Sequence, residues 1–278
     1  MKKMKKIMAA AIAMMTFSTA AAVTGTVAWF TANNIVSVNG MNVQAEVEEG
    51  IVISNEAKTS WKISAEATHQ DLVSLIPTST SDATSWYHAY SDDAENGQSY
   101  AGTHESLTVS KPAVNGTGLG TATVNNVPNK QIYLLNRFYI QSSANELQGY
   151  DIFVKDFNVT ATKELSKSLR VLVKYTGASG NTTRIFEPVD GASTTYKVNN
   201  TAINSETLVT YTEWKATDAK FLVAGNINLP AYSVSGTNAA EFEVYAYFEG
   251  EDASCKSANA DELEQLAISF KFEDVKHN

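Results

Sequence analysis

An all-β fold, a jelly-roll-like sandwich with short helices and a long loop insertion, follows from three features of this 278-residue sequence. Apolar and polar residues alternate with period two in several segments, strand-forming runs end at Gly, Asn, Ser or Asp clusters, and helical periodicity is sparse.

In Met41-Asn-Val-Gln-Ala-Glu-Val-Glu48 the apolar residues all occupy odd positions, which places them on one face of a strand. Upstream, Val36 and Val38 are even, so the phase slips at Asn39-Gly40, where a bulge or tight bend is expected. Further strands are expected at Gly50 to Ser54, Trp61 to Ala65, Leu107 to Ser110, Gln131 to Gln141, Tyr150 to Thr162 and Leu169 to Tyr175. The series continues with Arg184 to Glu187, Thr207 to Tyr211, Phe221 to Leu229, Glu241 to Glu249 and Leu266 to Phe272. These runs are rich in Val, Ile, Tyr, Phe and Thr, which suit a pleated, half-buried surface. One- or two-turn helices are expected at Asp71 to Leu75, Asn145 to Gln148, Glu164 to Ser168 and Asp261 to Gln265. Residues 77–126 are polar and turn-rich and read as a loop insertion, the most mobile part of the domain.

The first thirty residues carry the address. Lys2, Lys3, Lys5 and Lys6 precede an apolar run from Ile7 to Val23, and small residues follow, which is the three-part pattern of a secretory signal peptide. The run is too short and too rich in Ala, Ser and Thr for a membrane span, which needs ~20 strongly apolar residues. Cleavage is expected between Ala28 and Trp29, or before Val23 at an ordinary signal-peptidase site. The expected organisation is a signal peptide over 1–28, an N-terminal strand segment over 29–40, a sandwich domain over 41–274 and a short tail over 275–278. No apolar C-terminal tail is present to predict sorting or anchoring, so a secreted product, in an extracellular matrix or at a cell surface, is expected, with membrane contact only during secretion.

Composition narrows the partners. The formal charge of −9 becomes about −13 once the four leader lysines are removed, so the chain repels phosphate backbones and nucleic-acid binding is not expected. Cys255 is the single cysteine, which forbids an internal disulfide and reads as an incidental loop thiol.

Catalytic patterns are missing from the sequence. No His-Glu-x-x-His helix and no Gly-x-Ser-x-Gly elbow occur, so no catalytic residue and no cofactor are assigned. His88 and His104 flank Asp92 and Asp93 and make a candidate metal site, set against the plainer reading of solvated loop side chains. Gly116-Thr-Gly-Leu-Gly120 lacks the strand before and the helix after that a dinucleotide loop requires, and reads as a hairpin loop. Trp86 and Tyr87 are balanced between core residues and an exposed platform for sugars.

Two segments carry a family resemblance. The junction Gly25-Thr-Val-Ala-Trp-Phe-Thr31 with Asn39-Gly-Met-Asn-Val-Gln-Ala-Glu46 resembles the start of the TasA and camelysin family of secreted Gram-positive matrix proteins. The end is similar too, with Tyr245-Ala-Tyr-Phe-Glu-Gly-Glu-Asp252, then Cys255, then a Phe-rich strand over Ile268 to Phe272. The resemblance implies a leader cut by a SipW-type signal peptidase and a jelly-roll subunit that polymerises with itself into biofilm-matrix fibres. Its polymerisation would proceed by donor-strand complementation, with Trp29, Phe30, Ile35, Val36 and Val38 as the apolar residues delivered to the neighbour. Other matrix proteins or polysaccharide are further implied partners. Two classes compete with a fibre subunit: a surface adhesin or carbohydrate-binding sandwich, and a camelysin-type metal-dependent peptidase, for which no motif is present.

Overall fold

The computed structural model describes residues 36–48, 50–55, 60–88, 91–93, 98–99, 105–113, 117–160, 167–177, 180–188, 197–198, 201–202, 208–211, 220–236, 238–250, 252, 255 and 266–277. The first strands are β1 (Val36–Val47), β2 (Ile51–Ser54), β3 (Ser64–Leu75), β4 (Thr78–Ser79), β5 (Trp86–His88), β6 (Ser91–Asp93), β7 (Gln98–Ser99), β8 (Glu105–Leu107), β9 (Val109–Ser110) and β10 (Thr117–Val124). The later ones are β11 (Val127–Ser142), β12 (Leu147–Thr160), β13 (Leu169–Gly177), β14 (Gly180–Pro188), β15 (Lys197–Val198), β16 (Thr201–Ala202), β17 (Leu208–Tyr211), β18 (Lys220–Leu229), β19 (Ala240–Phe248) and β20 (Leu266–Lys276).

Two sheets face each other. The first has the order β18-β12-β20-β1-β3, and the second has the order β17-β14-β13-β19-β11-β10-β9, with β2 also pairing on β11. The chain changes sheet at most of the connections between long strands, so each sheet is assembled from distant parts of the sequence. The protein is an all-β sandwich.

The inner layer follows from strand alternation. Met41, Val43, Ala45 and Val47 of β1 and Leu266, Ile268, Phe270 and Phe272 of β20 are buried between the sheets. Phe138, Val171, Val173, Phe242, Val244 and Phe248 meet them from the second sheet. The outer face of the first sheet is a ladder of charge: Lys155 pairs with Glu48 and Glu273, and Lys271 with Glu46 at 3.6 Å and Asp156 at 3.5 Å. Such exposed pairs contribute about 0–1 kcal/mol each. The hydrophobic layer carries the stability.

The second sheet is buried on both faces. Its central strands β11, β13 and β19 read as nearly continuous apolar runs, because a strand covered on both sides has no polar face to present. A second core on the far side gathers Ile76, Trp86, Leu107, Ile132, Tyr133, Leu135, Leu172, Ile185, Tyr245 and Tyr247. Here the expectation of a loop insertion over 77–126 is corrected. The described part forms the small sheet β4-β5-β8 and the strands β9 and β10, which cover this face.

Trp86 is the centre of the cover. It is 1 % exposed and lies 4.6 Å from the Tyr133 ring and 5.2 Å, edge-on, from Tyr247. Polar ties fix the same segment: Lys174 Nζ donates to Asp82 O at 3.0 Å, Tyr247 Oη donates to Thr80 O at 3.4 Å, and Arg137 Nη2 donates to Pro112 O at 2.9 Å.

Two local expectations also change. Gly118 and Gly120 lie within strand β10, not in a hairpin loop. A Cβ on Gly120 would sit 2.0 Å from the Tyr133 ring, so glycine here lets the cross-strand aromatic lie flat on the backbone. The turn is instead at Asn125-Asn126, whose φ values of 49° and 61° match a two-residue hairpin that asparagine tolerates. Asp71 to Leu75 belongs to β3 and Leu147-Gln148 to β12, where pairing with neighbouring strands overrides a weak helical preference. Among the described residues there is no α-helix, only a 3₁₀ turn at Lys167-Ser168; Asp261 to Gln265 lies outside them.

Truncating the central anchor should be costly. Trp86→Ala is expected to lower unfolding free energy by ~3–5 kcal/mol in urea titrations, the usual loss for a buried large aromatic. A change below ~1 kcal/mol would mean that the cover is not part of the folding unit.

Candidate functional site

The N-terminal strand has two unlike halves. From Met41↔Leu266 to Val47↔Phe272 β1 runs parallel to β20, while its other edge pairs antiparallel with β3 from Met41↔His69 to Glu46↔Ser64. From Val36↔Leu75 to Asn39↔Leu72 it pairs with β3 alone, and among the described residues nothing pairs with its other edge. Burying Met41, Val43 and Val47 contributes on the order of 5–9 kcal/mol before ordering costs, at ~1.5–3 kcal/mol per side chain.

The boundary between the halves is a register shift between Asn39 and Met41. The expected slip at Asn39-Gly40 is therefore present. Its extra residue lies on β3, where His69 to Leu72 takes three steps against two on β1. Beyond the shift, β3 keeps its own anchors: Ser74 N–H donates to Gln131 Oε1 at 3.1 Å, Ile76 N–H donates to Gln131 O at 2.8 Å, and Leu75 is fully buried. The strand that receives Val36 to Asn39 is thus held independently of them.

Of the residues predicted for polymerisation, Val36 and Val38 lie in this half-paired segment, opposite Leu75 and Val73. Trp29, Phe30 and Ile35 lie outside the described residues, as do the expected cleavage residues Ala28 and Trp29. The metal candidates separate by setting. His88 is buried on β5 with Nδ1 3.8 Å from Glu105 Oε2, Asp92 and Asp93 lie in β6, and His104 is outside the described residues. Among the described residues, no group of three or more His, Cys, Asp or Glu side chains is placed to hold an ion. Trp86, weighed as a sugar platform, is buried and offers no face to a ligand.

A second polar constellation had no signal in the sequence. Arg170, fully buried on β13, places Nε 3.0 Å from Glu187 Oε2 on β14 and Nη2 2.9 Å from Asp252 Oδ2 after β19. Its Nη1 donates to the carbonyls of Lys167 at 2.8 Å and Leu169 at 3.1 Å. Nearby, Ser79 Oγ donates to Glu249 Oε2 at 3.0 Å and Gly250 N–H donates to Thr78 O at 3.3 Å, which ties the cover to the end of β19. Cys255, taken from sequence as incidental, is half-buried against the core, and its N–H donates to Asp252 O at 2.9 Å. Burial pushes its thiol well up, a hydrogen bond with Ser168 only partly opposing this, so it is a packing residue and a poor nucleophile. The partners of Arg170 are 17 and 82 positions away, which is why no local motif announced them.

Compared with known families, with curated proteins and with solved structures, the chain matches none.

Glu187 is a carboxylate whose titration is displaced to near neutrality. Burial raises it to about 7 from an ordinary 4.5; the Arg170 charge opposes the rise and Asp252 adds to it. Between those values the folded protein holds a proton that the unfolded chain has released, so the stability contributed here falls as pH rises from about 4.5 to about 7. Glu187→Gln should remove on the order of 3 kcal/mol of that pH dependence, read as the difference between wild-type and variant urea unfolding at pH 5 and pH 8. Parallel wild-type and variant curves would show that Glu187 is ionised throughout.

Proposed function

We propose that this protein is a secreted structural subunit that polymerises into extracellular fibres by passing the segment before Met41 to a neighbouring copy. The observation that carries this is the division of β1. Its Met41–Val47 half is locked between two strands in the core, while its Val36–Gly40 half is paired, among the described residues, on one side only. A segment so attached can leave without dismantling the sandwich, and the β3 edge it vacates remains anchored through Gln131. Strand addition satisfies an open edge with main-chain hydrogen bonds, and alternate side chains set the register.

The signal-peptide pattern and the resemblance of both chain ends to the TasA and camelysin family support the same reading. They add a SipW-type peptidase as the processing partner, the cell exterior as the location, and other matrix proteins or polysaccharide as companions in the fibre. The adhesin alternative loses its Trp86 platform, because that ring is buried.

Deletion of residues 29–38 from the mature chain is expected to leave a folded β protein by circular dichroism that makes no fibres in electron micrographs. Fibre formation at the wild-type level by this deletion would overturn the proposal.

A further inference from the structure

The buried polar cluster beside the cover is short of positive charge. Among the described residues, the single guanidinium of Arg170 meets the carboxyl groups of Glu187 and Asp252, with Glu249 at the same junction, and all four residues are buried. Two of the carboxylates have firm partners: Asp252 accepts from Arg170 Nη2 at 2.9 Å, and Glu249 accepts from Ser79 Oγ at 3.0 Å. Glu187 lies 3.0 Å from Arg170 Nε, yet neither of its oxygens completes a hydrogen bond. Its ladder partner on β17 is the uncharged Thr210, and β4 brings only the hydroxyls of Thr78 and Ser79. The cluster therefore carries one net negative charge with Glu187 protonated and two with it ionised. An uncompensated buried charge is relieved by water, so ionisation favours any state that lets water in.

The walls around the cluster differ in strength. β13 is laddered to β14 from Val171↔Phe186 to Gly177↔Gly180 and to β19 from Leu169↔Phe248 to Tyr175↔Phe242. The cover meets the end of β19 through far less: the Ser79–Glu249 bond, Gly250 N–H donating to Thr78 O at 3.3 Å, and an isolated bridge between Thr78 and Glu249. Local opening is cheapest where few bonds break, so this wall yields first.

We infer that Arg170, Glu187, Glu249 and Asp252 form a proton-operated clasp. While Glu187 holds its proton, the end of β19 stays closed against β4; when the proton leaves, this junction opens to water with the two facing sheets still folded. Opening hydrates the carboxyl and returns it to its ordinary range, so the opening equilibrium rises with pH from about 4.5 to about 7 and is level above that. The cover's own titratable groups at this end, His88, laddered to Thr78, and Glu105, 3.8 Å from its Nδ1, make a separate pair that a variant can separate from the clasp.

The molecule holds its own reporter. Cys255 is the single cysteine, its thiol packs toward the core with a hydrogen bond to Ser168, and Asp252, Glu249 and Arg170 surround it. Labelling by a dipyridyl disulfide, divided at each pH by the rate for the same chain unfolded in urea, reads the opening free of the thiol's own titration. In the wild type this ratio should rise on the order of 100-fold between pH 5 and pH 7.5 and then level. It should stay flat in Glu187→Gln and keep its rise in His88→Gln. At each pH, opening at Cys255 should be at least about 10-fold more frequent than opening of amides 41–47 followed by hydrogen exchange, which reports global unfolding. Equal frequencies in the two places, or parallel profiles for wild type and Glu187→Gln, overturn the clasp. Should Glu187→Gln not fold, the other two proteins decide: a rise that levels near pH 7 in both supports the clasp, and a flat wild-type profile or a rise lost in His88→Gln overturns it.

Discussion

The parallel pairing of Met41–Val47 with Leu266–Phe272 is the constraint on which the remaining structure depends. It places the first described strand beside the last, in the middle of one sheet, and aligns their apolar residues in register so that both line the same core. Neither strand can bury its apolar face until the whole intervening chain has been delivered. Folding of this sheet is therefore non-local, with the loop-closure cost that slows β-sandwich formation. It also fixes how far the N-terminal segment can detach, since everything after Gly40 is bound on two edges and packed beneath.

Covering on both faces is the other organising feature. The second sheet packs one side on the first sheet and the other under the β4-β5-β8 cover, and the Arg170 network lies where β13, β14, the end of β19 and β4 meet. A single guanidinium there faces the carboxylates of Glu187 and Asp252, with Glu249 nearby. Burial of such a set is costly unless every group is satisfied, and Glu187 answers by holding its proton to near neutrality. This network ties the cover to the sandwich.

The alternation of Met41–Val47 and of Leu266–Phe272 made their strands legible, and the phase slip at Asn39-Gly40 located a real register shift, although the extra residue proved to be on the partner strand. The unbroken apolar run Ile132-Tyr-Leu-Leu, followed after Asn136-Arg137 by Phe-Tyr-Ile140, carried a signal for two-sided burial that implied a cover over the second sheet. Residues 77–126 were polar enough to resemble a loop because a cover strand needs few apolar residues: Trp86, Leu107, Ala122 and Val124 are the buried apolar side chains it brings to the second core. Short helical patterns misled at Asp71 to Leu75 because propensity over five residues is weaker than pairing with Val36 to Asn39. The Arg170 cluster was illegible, since it joins residues that only the folded topology brings together.

The central claim is that β1 is one strand with two stabilities. Native-state hydrogen exchange on the monomer measures this directly. Amides of residues 41–47 should exchange only through global unfolding, whereas those of 36–39 should exchange through a local opening that costs a small fraction of that free energy. Uniform protection along the whole of β1 would contradict the account, because the N-terminal half would then be as firmly held as the core it is proposed to leave.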